Sequence, residues 1–232
     1  EVKKGGTTEF TVTLGRYAFA KDKPIPEIPG QTQDNYSETV NIKPSGYPYY
    51  YQESINQTGG NAHAKDLKVF IDNAIIDGGY WLGRYEASNS SGTKSKYDEE
   101  AWGDITQPNA SIEAQKLKAS GNYQSDLVNS YAWDTAIVFI EKSGHTGYAS
   151  QRSKNAKKLN TGRSGDKVCN IYDMSSNCLE WSTEATMYQS AFGWTGRGGD
   201  YSSIYNYPSK RSNYNTNITS INISFRTTLY RQ

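Results

Sequence analysis

"NIYDMSSNCLEW" occupies 170–181, and its reading decides the fold. Tyr172, Met174 and Trp181 are bulky side chains set among turn-forming residues, with an acid, Glu180, directly before the tryptophan. Such a run suits the core of a fold with little regular structure, held by large aromatics. A charge embedded in it must find a partner, because an unpaired charge is expensive to bury. Two other phrases have the same make. "GGYWLGRYEAS" at 78–88 places Arg84 and Glu86 among Tyr80, Trp81 and Tyr85, and "RGGDY…ISFR" from 197 to 226 places Arg197 and Arg226 at the two ends of a segment containing Phe225. Arg84, Glu86, Glu180, Arg197 and Arg226 are therefore expected in structural ion pairs rather than in catalysis. Gly78-Gly79 and Gly198-Gly199 fit places of close backbone approach or positive φ.

Composition supports a folded chain. Aromatics make up 13% of the 232 residues, with 19 Tyr and 5 Trp, and each large ring can remove roughly 150–250 Å² from water. Lys and Arg total 25 against 24 Asp and Glu, a formal net charge of +1 with scattered charges, which gives little general attraction for a phosphate backbone or an anionic membrane. No run is long and apolar enough for membrane insertion, and "EVKKGG" shows no signal-peptide core. Cys169 and Cys178 are close enough in sequence to pair, but read as two buried free thiols.

Along the chain, "TEFTVTLGRYAF" alternates like a half-buried strand, and 21–62 reads as an irregular insertion with a tyrosine cluster at "GYPYYYQ". Leu67, Phe70, Ile71 and Ala74 fall on one helical face over 64–77. "YWLGRYEAS" reads as a strand. "NASIEAQKLKA" reads as a second helix capped by Ser111 or Asn109 and stopped at Gly121, and "WDTAIVFIEKSG" as a third with Trp133, Ala136, Ile137 and Ile140 inward. Short strands and long loops follow, so the expected class is α+β.

In fixed order, the three phrases resemble the GGFxMGRYEV, GLYDMxGNVWEW and RGGSW…GFR patterns of the formylglycine-generating-enzyme (sulfatase-modifying factor) family. That resemblance implies a C-type lectin-like fold in one domain over 7–232. It is nearest to the branch from gut bacteria and phages, where "TLGRYAF" and "WDTAIVFI" have counterparts.

The family's enzymes oxidise a substrate cysteine with a copper-binding cysteine pair shortly after the RGG phrase. Here that place reads "DYSSIYNYPSKRSN", without cysteine, and hydroxyls and amides do not replace soft thiolates. The related iron enzymes need clustered histidines, whereas His63 and His145 stand apart. The expectation is a protein that is not an enzyme and has no cofactor. The resemblance leaves calcium open at Ser176, Cys178 and Glu180, by backbone carbonyls and a carboxylate; a Glu180–arginine ion pair accounts for the same residue without metal.

The same fold is used by the variable proteins of diversity-generating retroelements, in which the segment between RGG and GFR is the ligand surface. Adenine-directed mutagenesis of Asn-type codons there yields Asn, Asp, Tyr, His, Ser, Thr, Ile, Gly and a few others, never Lys, Glu, Gln, Trp or Met. Between Asp200 and Asn222 only Lys210 belongs to the excluded set. Chemically, Tyr gives rigid contact area and Ser and Asn give adaptable hydrogen bonds, as in antibody loops. The expected ligand-contacting residues over 197–226 are Asp200, Ser203, Ile204, Tyr205, Asn206, Tyr207, Ser212, Asn213, Tyr214, Asn215, Asn217, Thr219, Ser220 and Ile221. Tyr201, Arg211, Ile223 and Phe225 are expected to be scaffold. The resemblance implies a receptor-binding protein of a phage tail or bacterial surface whose partner is a protein or glycan on a cell. A formylglycine-generating-type oxidase and a carbohydrate-binding or structural virion domain of fixed specificity are the rival readings.

Overall fold

A computed structural model describes residues 79–117, 121–153, 155–188, 191–203, 207–215 and 217–231, and the backbone of the strands Val2–Lys4, Thr7–Phe10 and Tyr49–Glu53. The expected helix over 64–77, the strand beyond Phe10 and most of 21–62 lie outside the described residues. Within 21–62, Tyr49–Glu53 forms a strand, β1, in a stretch read as irregular.

The largest sheet is built on β4 (Leu179–Tyr188), which begins inside the quoted phrase. It pairs antiparallel with β5 (Ala191–Arg197), which pairs antiparallel with β6 (Arg211–Asn215). Along its other edge, the first part of β4 pairs parallel with β7 (Ile223–Phe225), Glu180 opposite Ser224, and its last part pairs antiparallel with β1. The register of β4 against β5 shifts between Trp181 and Ala185, where the other edge of β4 passes from β7 to β1. A second sheet has β8 (Thr227–Arg231) between β2 (Trp81–Leu82) and β3 (Tyr123–Leu127), all antiparallel.

Helix α1 is Gln107–Lys116 and helix α2 is Ser130–Lys142. Both start earlier than expected. Thr106, not Asn109 or Ser111, caps α1: its side chain accepts from the Asn109 N–H, with Pro in the first turn, a position where the missing donor costs nothing. Asn129 caps α2 by accepting from the Ala132 N–H at 2.8 Å. The predicted stripe of α2 is buried: Trp133, Ala136, Ile137 and Ile140 pack with Tyr148, Met174 and Tyr230. A second core joins α1 to the large sheet through Ala110, Ala114, Leu179, Trp181, Trp194 and Phe225. The class is α+β.

The strand expected over "YWLGRYEAS" is broken. After Leu82 the chain turns, and Ala87–Ser88 pairs separately with Lys94–Ser95. The turn leaves Arg84 exposed, with no ion pair to any described residue, while Glu86 beyond it is fully buried. Lys167–Val168 and Ile171–Tyr172 form a short antiparallel ladder. Cys169 and Asn170 connect it at φ 50° and 61°, the left-handed pair that a two-residue hairpin turn requires. Both cysteines are free thiols, Cys178 buried and Cys169 half-buried. Among the described residues no helix is long and apolar enough to cross a membrane.

Candidate binding face on the C-terminal segment

The segment from Arg197 to Arg226 is fastened at its base by charge. Arg197 ends β5 and Arg211 opens β6 directly opposite. Both guanidinium groups are shared by Asp134 of α2 and Glu184 of β4. Arg197 donates to Asp134 Oδ1 and, through Nη1 at 3.0 Å, to Glu184 Oε2. Arg211 donates from Nε to Glu184 Oε1 at 3.0 Å and from Nη2 to Asp134 Oδ2 at 2.7 Å. All four side chains are at most 2% exposed. Two cations against two anions leave no net buried charge, the condition under which such a cluster can be tolerated.

Backbone contacts complete the base. The indole N–H of Trp133 donates to the Pro208 carbonyl at 2.8 Å, and Ser209 donates to the Ala149 carbonyl from N (3.2 Å) and Oγ (2.8 Å). Gly198 N donates to Lys210 O at 3.1 Å. Gly198 has φ 77°, and a Cβ there would lie 2.3 Å from the Met174 carbonyl oxygen, so the expected need for glycine holds at this position. Tyr201 N donates to Asn177 O at 2.9 Å.

Arg226 ties the three sequence phrases together. It donates to Glu180 from Nε (2.8 Å) and Nη2 (2.6 Å), to the Gly83 carbonyl from Nη1 and to the Tyr172 carbonyl from Nη2, both at 2.7 Å. Bidentate pairing of this kind is the strongest form of the contact. Glu86 has no such cation among the described residues. It accepts from Asn177 Nδ2 at 2.5 Å and from Cys178 N at 2.8 Å. Burial, with the Asp173 and Glu180 carboxylates nearby, holds its carboxyl well above the usual carboxylate range, against the pull of Arg226.

Beyond this base the segment turns outward. Along β6, Asn213 and Asn215 are exposed, while Ser212 and Tyr214 on the opposite face are half-buried, the alternation that a pleated strand imposes. The Tyr214 ring packs edge-on against Trp181 with centroids 5.5 Å apart. Burial, assisted by the Asp200 charge, pushes its hydroxyl up to about 12. Further on, Asn217, Ile218, Thr219 and Ile221 are exposed and Ser220 is half-buried. Their backbone is held firmly: Asp104 N donates to Ser220 O at 3.0 Å, Ile223 N to Ser220 O at 3.0 Å and Leu179 N to Asn222 O at 2.9 Å.

Of the residues expected to contact a ligand, the structure brings Asn213, Asn215, Asn217, Thr219 and Ile221 to one exposed run, with Ser203, Tyr207, Ser212, Tyr214 and Ser220 half-buried. Ile204, Tyr205 and Asn206 lie outside the described residues. Asp200, expected on the exposed face, is only 7% exposed. Its Oδ1 accepts from Ser202 N (2.6 Å), Ser202 Oγ (2.5 Å) and Ser203 N (3.0 Å), which closes the turn after Gly199. Arg211, Ile223 and Phe225 are built into the scaffold, and Tyr201 is half-buried. Asp104, exposed at φ 52° beside Ser220, joins the face from outside the segment. No sequence signal pairs Asp104 with a position so distant.

Of the residues considered for calcium, Glu180 has both oxygens on Arg226, and Ser176 and Cys178 are buried. Among the described residues no three His, Cys, Asp or Glu side chains are grouped to hold a metal ion.

No family model matches the chain, and no curated protein does. Among solved structures it is similar to Treponema denticola variable protein 1, with 14% identity and a TM-score of 0.43 over 62% of this chain and 76% of the other. It is also similar to CarF, with 15% identity and a TM-score of 0.43 over 56% of this chain and 67% of the other.

Proposed function

We propose that the protein is a non-catalytic receptor-binding protein, a C-type lectin-like scaffold of the diversity-generating-retroelement type, carried on a phage tail or a bacterial surface. Its partner is a protein or glycan on a cell, met by the polar face around 213–221. The observation that carries this reading is the contrast within one segment: Asn213, Asn215, Asn217, Thr219 and Ile221 are exposed, while the backbone on either side is locked to the framework by Arg211, Ser220 and Asn222. Side chains held out on a fixed backbone lose little further freedom on binding. Their identity can also change without disturbing the core.

The test is sequencing of this gene across one source population, with the adjacent DNA. The expected result is an excess of substitutions at the exposed positions, drawn from the Asn-codon set, with a nearby reverse transcriptase gene and a near-copy of the segment differing at adenines. Substitutions spread evenly over the chain, with no such copy, overturn the reading. Conversion of a sulfatase peptide cysteine to an aldehyde in the presence of copper would instead make the protein an enzyme.

A further inference from the structure

The second sheet carries a groove that the binding face does not use. It has a volume of about 350 Å³ and is floored by Thr227 and Leu229 of β8, within the roughly 300–1,000 Å³ span of ligand pockets. One wall is Trp81, 55% exposed, braced edge-on by Tyr123 with centroids 5.6 Å apart. Leu82 and Leu117 extend the apolar lining, and Leu117, just past the end of α1, is 41% exposed. A fixed, exposed tryptophan beside an exposed leucine is unlike the scattered single apolar residues of an ordinary surface.

Two observations narrow the occupant. Several polar groups lining the groove are already hydrogen-bonded. Gly83 N donates to Thr227 O at 2.8 Å, and Gly83 O accepts from Arg226. Ser95 Oγ donates to Tyr85 O at 3.1 Å and accepts from Tyr85 N at 3.0 Å. A sugar hydroxyl buried against these paired groups would go unbonded, at a cost of about 1–3 kcal/mol each. Among the described residues the groove's single charged residue is Arg84, which is exposed and makes no ion pair with any of them. Apolar walls with one cation at the rim complement an aliphatic group beside a carboxylate. Gly83 keeps the floor open: a Cβ there would come within 3.3 Å of Ser95 Oγ and of both Thr227 oxygens.

We infer that this groove is a second docking site, separate from the variable face, for a peptide segment of a partner protein that places a branched aliphatic side chain against Trp81 and Leu117 and an adjacent acidic side chain on Arg84. Such a site would attach the domain to whatever carries it while the other sheet meets its receptor.

The experiment is an NMR titration of the isotope-labelled full chain with two capped tetrapeptides, Ala-Leu-Asp-Ala and Ala-Leu-Asn-Ala. The acidic peptide should give saturable shifts at the Gly83 amide and the Trp81 indole, and bind about threefold tighter than its amide counterpart, the scale of one exposed charge contact. Trp81→Ala should abolish saturation for both peptides. Arg84→Gln should erase the difference between them while weak leucine-dependent binding survives. Both side chains are exposed, so the variants should keep the wild-type dispersion of α2 signals. The proposal is overturned if neither peptide shifts these signals, if the two bind equally to the wild-type protein, or if glucuronate saturates the site in their place. Dilution-dependent shifts at Trp81 without peptide, reporting a second copy of the chain there, overturn it as well.

Discussion

Two ends of a single strand behave as opposite materials. At the start of β6, Arg211 is sealed into a four-charge cluster with Arg197, Asp134 and Glu184. Two and four residues on, Asn213 and Asn215 stand in solvent on the same side of the strand. The first region resists change because each charge there is the solvation of another. The second is permissive because its side chains touch little. A protein that must vary what it binds and keep its shape needs this difference within a few residues.

The largest effect should come from the sealed end. Arg197→Met leaves Asp134 and Glu184 with one cation between them, and urea unfolding should show a loss of about 3–5 kcal/mol; a loss below about 1 kcal/mol would break the comparison. Gly198→Ala comes next, because its Cβ would strike the Met174 carbonyl and its φ is left-handed. The expected loss is about 1–3 kcal/mol in the same measurement. Third is Tyr214, between the two regions. Its folded pKa, about 12, is above the unfolded value near 10.0. Its contribution is therefore present below the unfolded pKa and disappears as pH climbs from 10 towards 12. Tyrosinate absorbance should place one ring at that late midpoint, and Tyr214→Phe should delete the step. The smallest effects belong to the permissive end. Asn213→Ser, Asn215→Asp and Thr219→Ser should each move stability by less than about 0.5 kcal/mol, while any bound receptor is gained or lost.

What sequence reveals follows the same division. The buried stripe of α2 and the pairing of Glu180 are legible because periodicity and an acid in an apolar phrase are local signals. The pleat of β6 is also legible in principle. Reading Ser212 to Asn215 as uniformly exposed overlooks the alternation that half-buries Ser212 and turns Tyr214 towards Trp181. The start of α1 is announced by "TQPN", where Pro follows a capping threonine by two residues. Arg84 is misread because a turn intervenes after Leu82 and removes it from the run of buried neighbours. The partnership of Asp134 with Arg197 and Arg211 is invisible in one sequence, since it joins residues 63 and 77 positions apart. Asp200 belongs to the permitted alphabet, yet its buried carboxylate fastens a turn, so composition alone cannot separate tip from base.

The hairpin turn at Cys169 and Asn170 has a practical side. It places a β-unbranched but bulky thiol in a left-handed conformation better suited to asparagine or glycine. Rewriting the pair as Asn-Gly would relieve that backbone and remove the more accessible of the two sulfurs, giving up its packing against the core around α2. The molecule could then be concentrated, stored and displayed without reducing agent, with its recognition surface untouched.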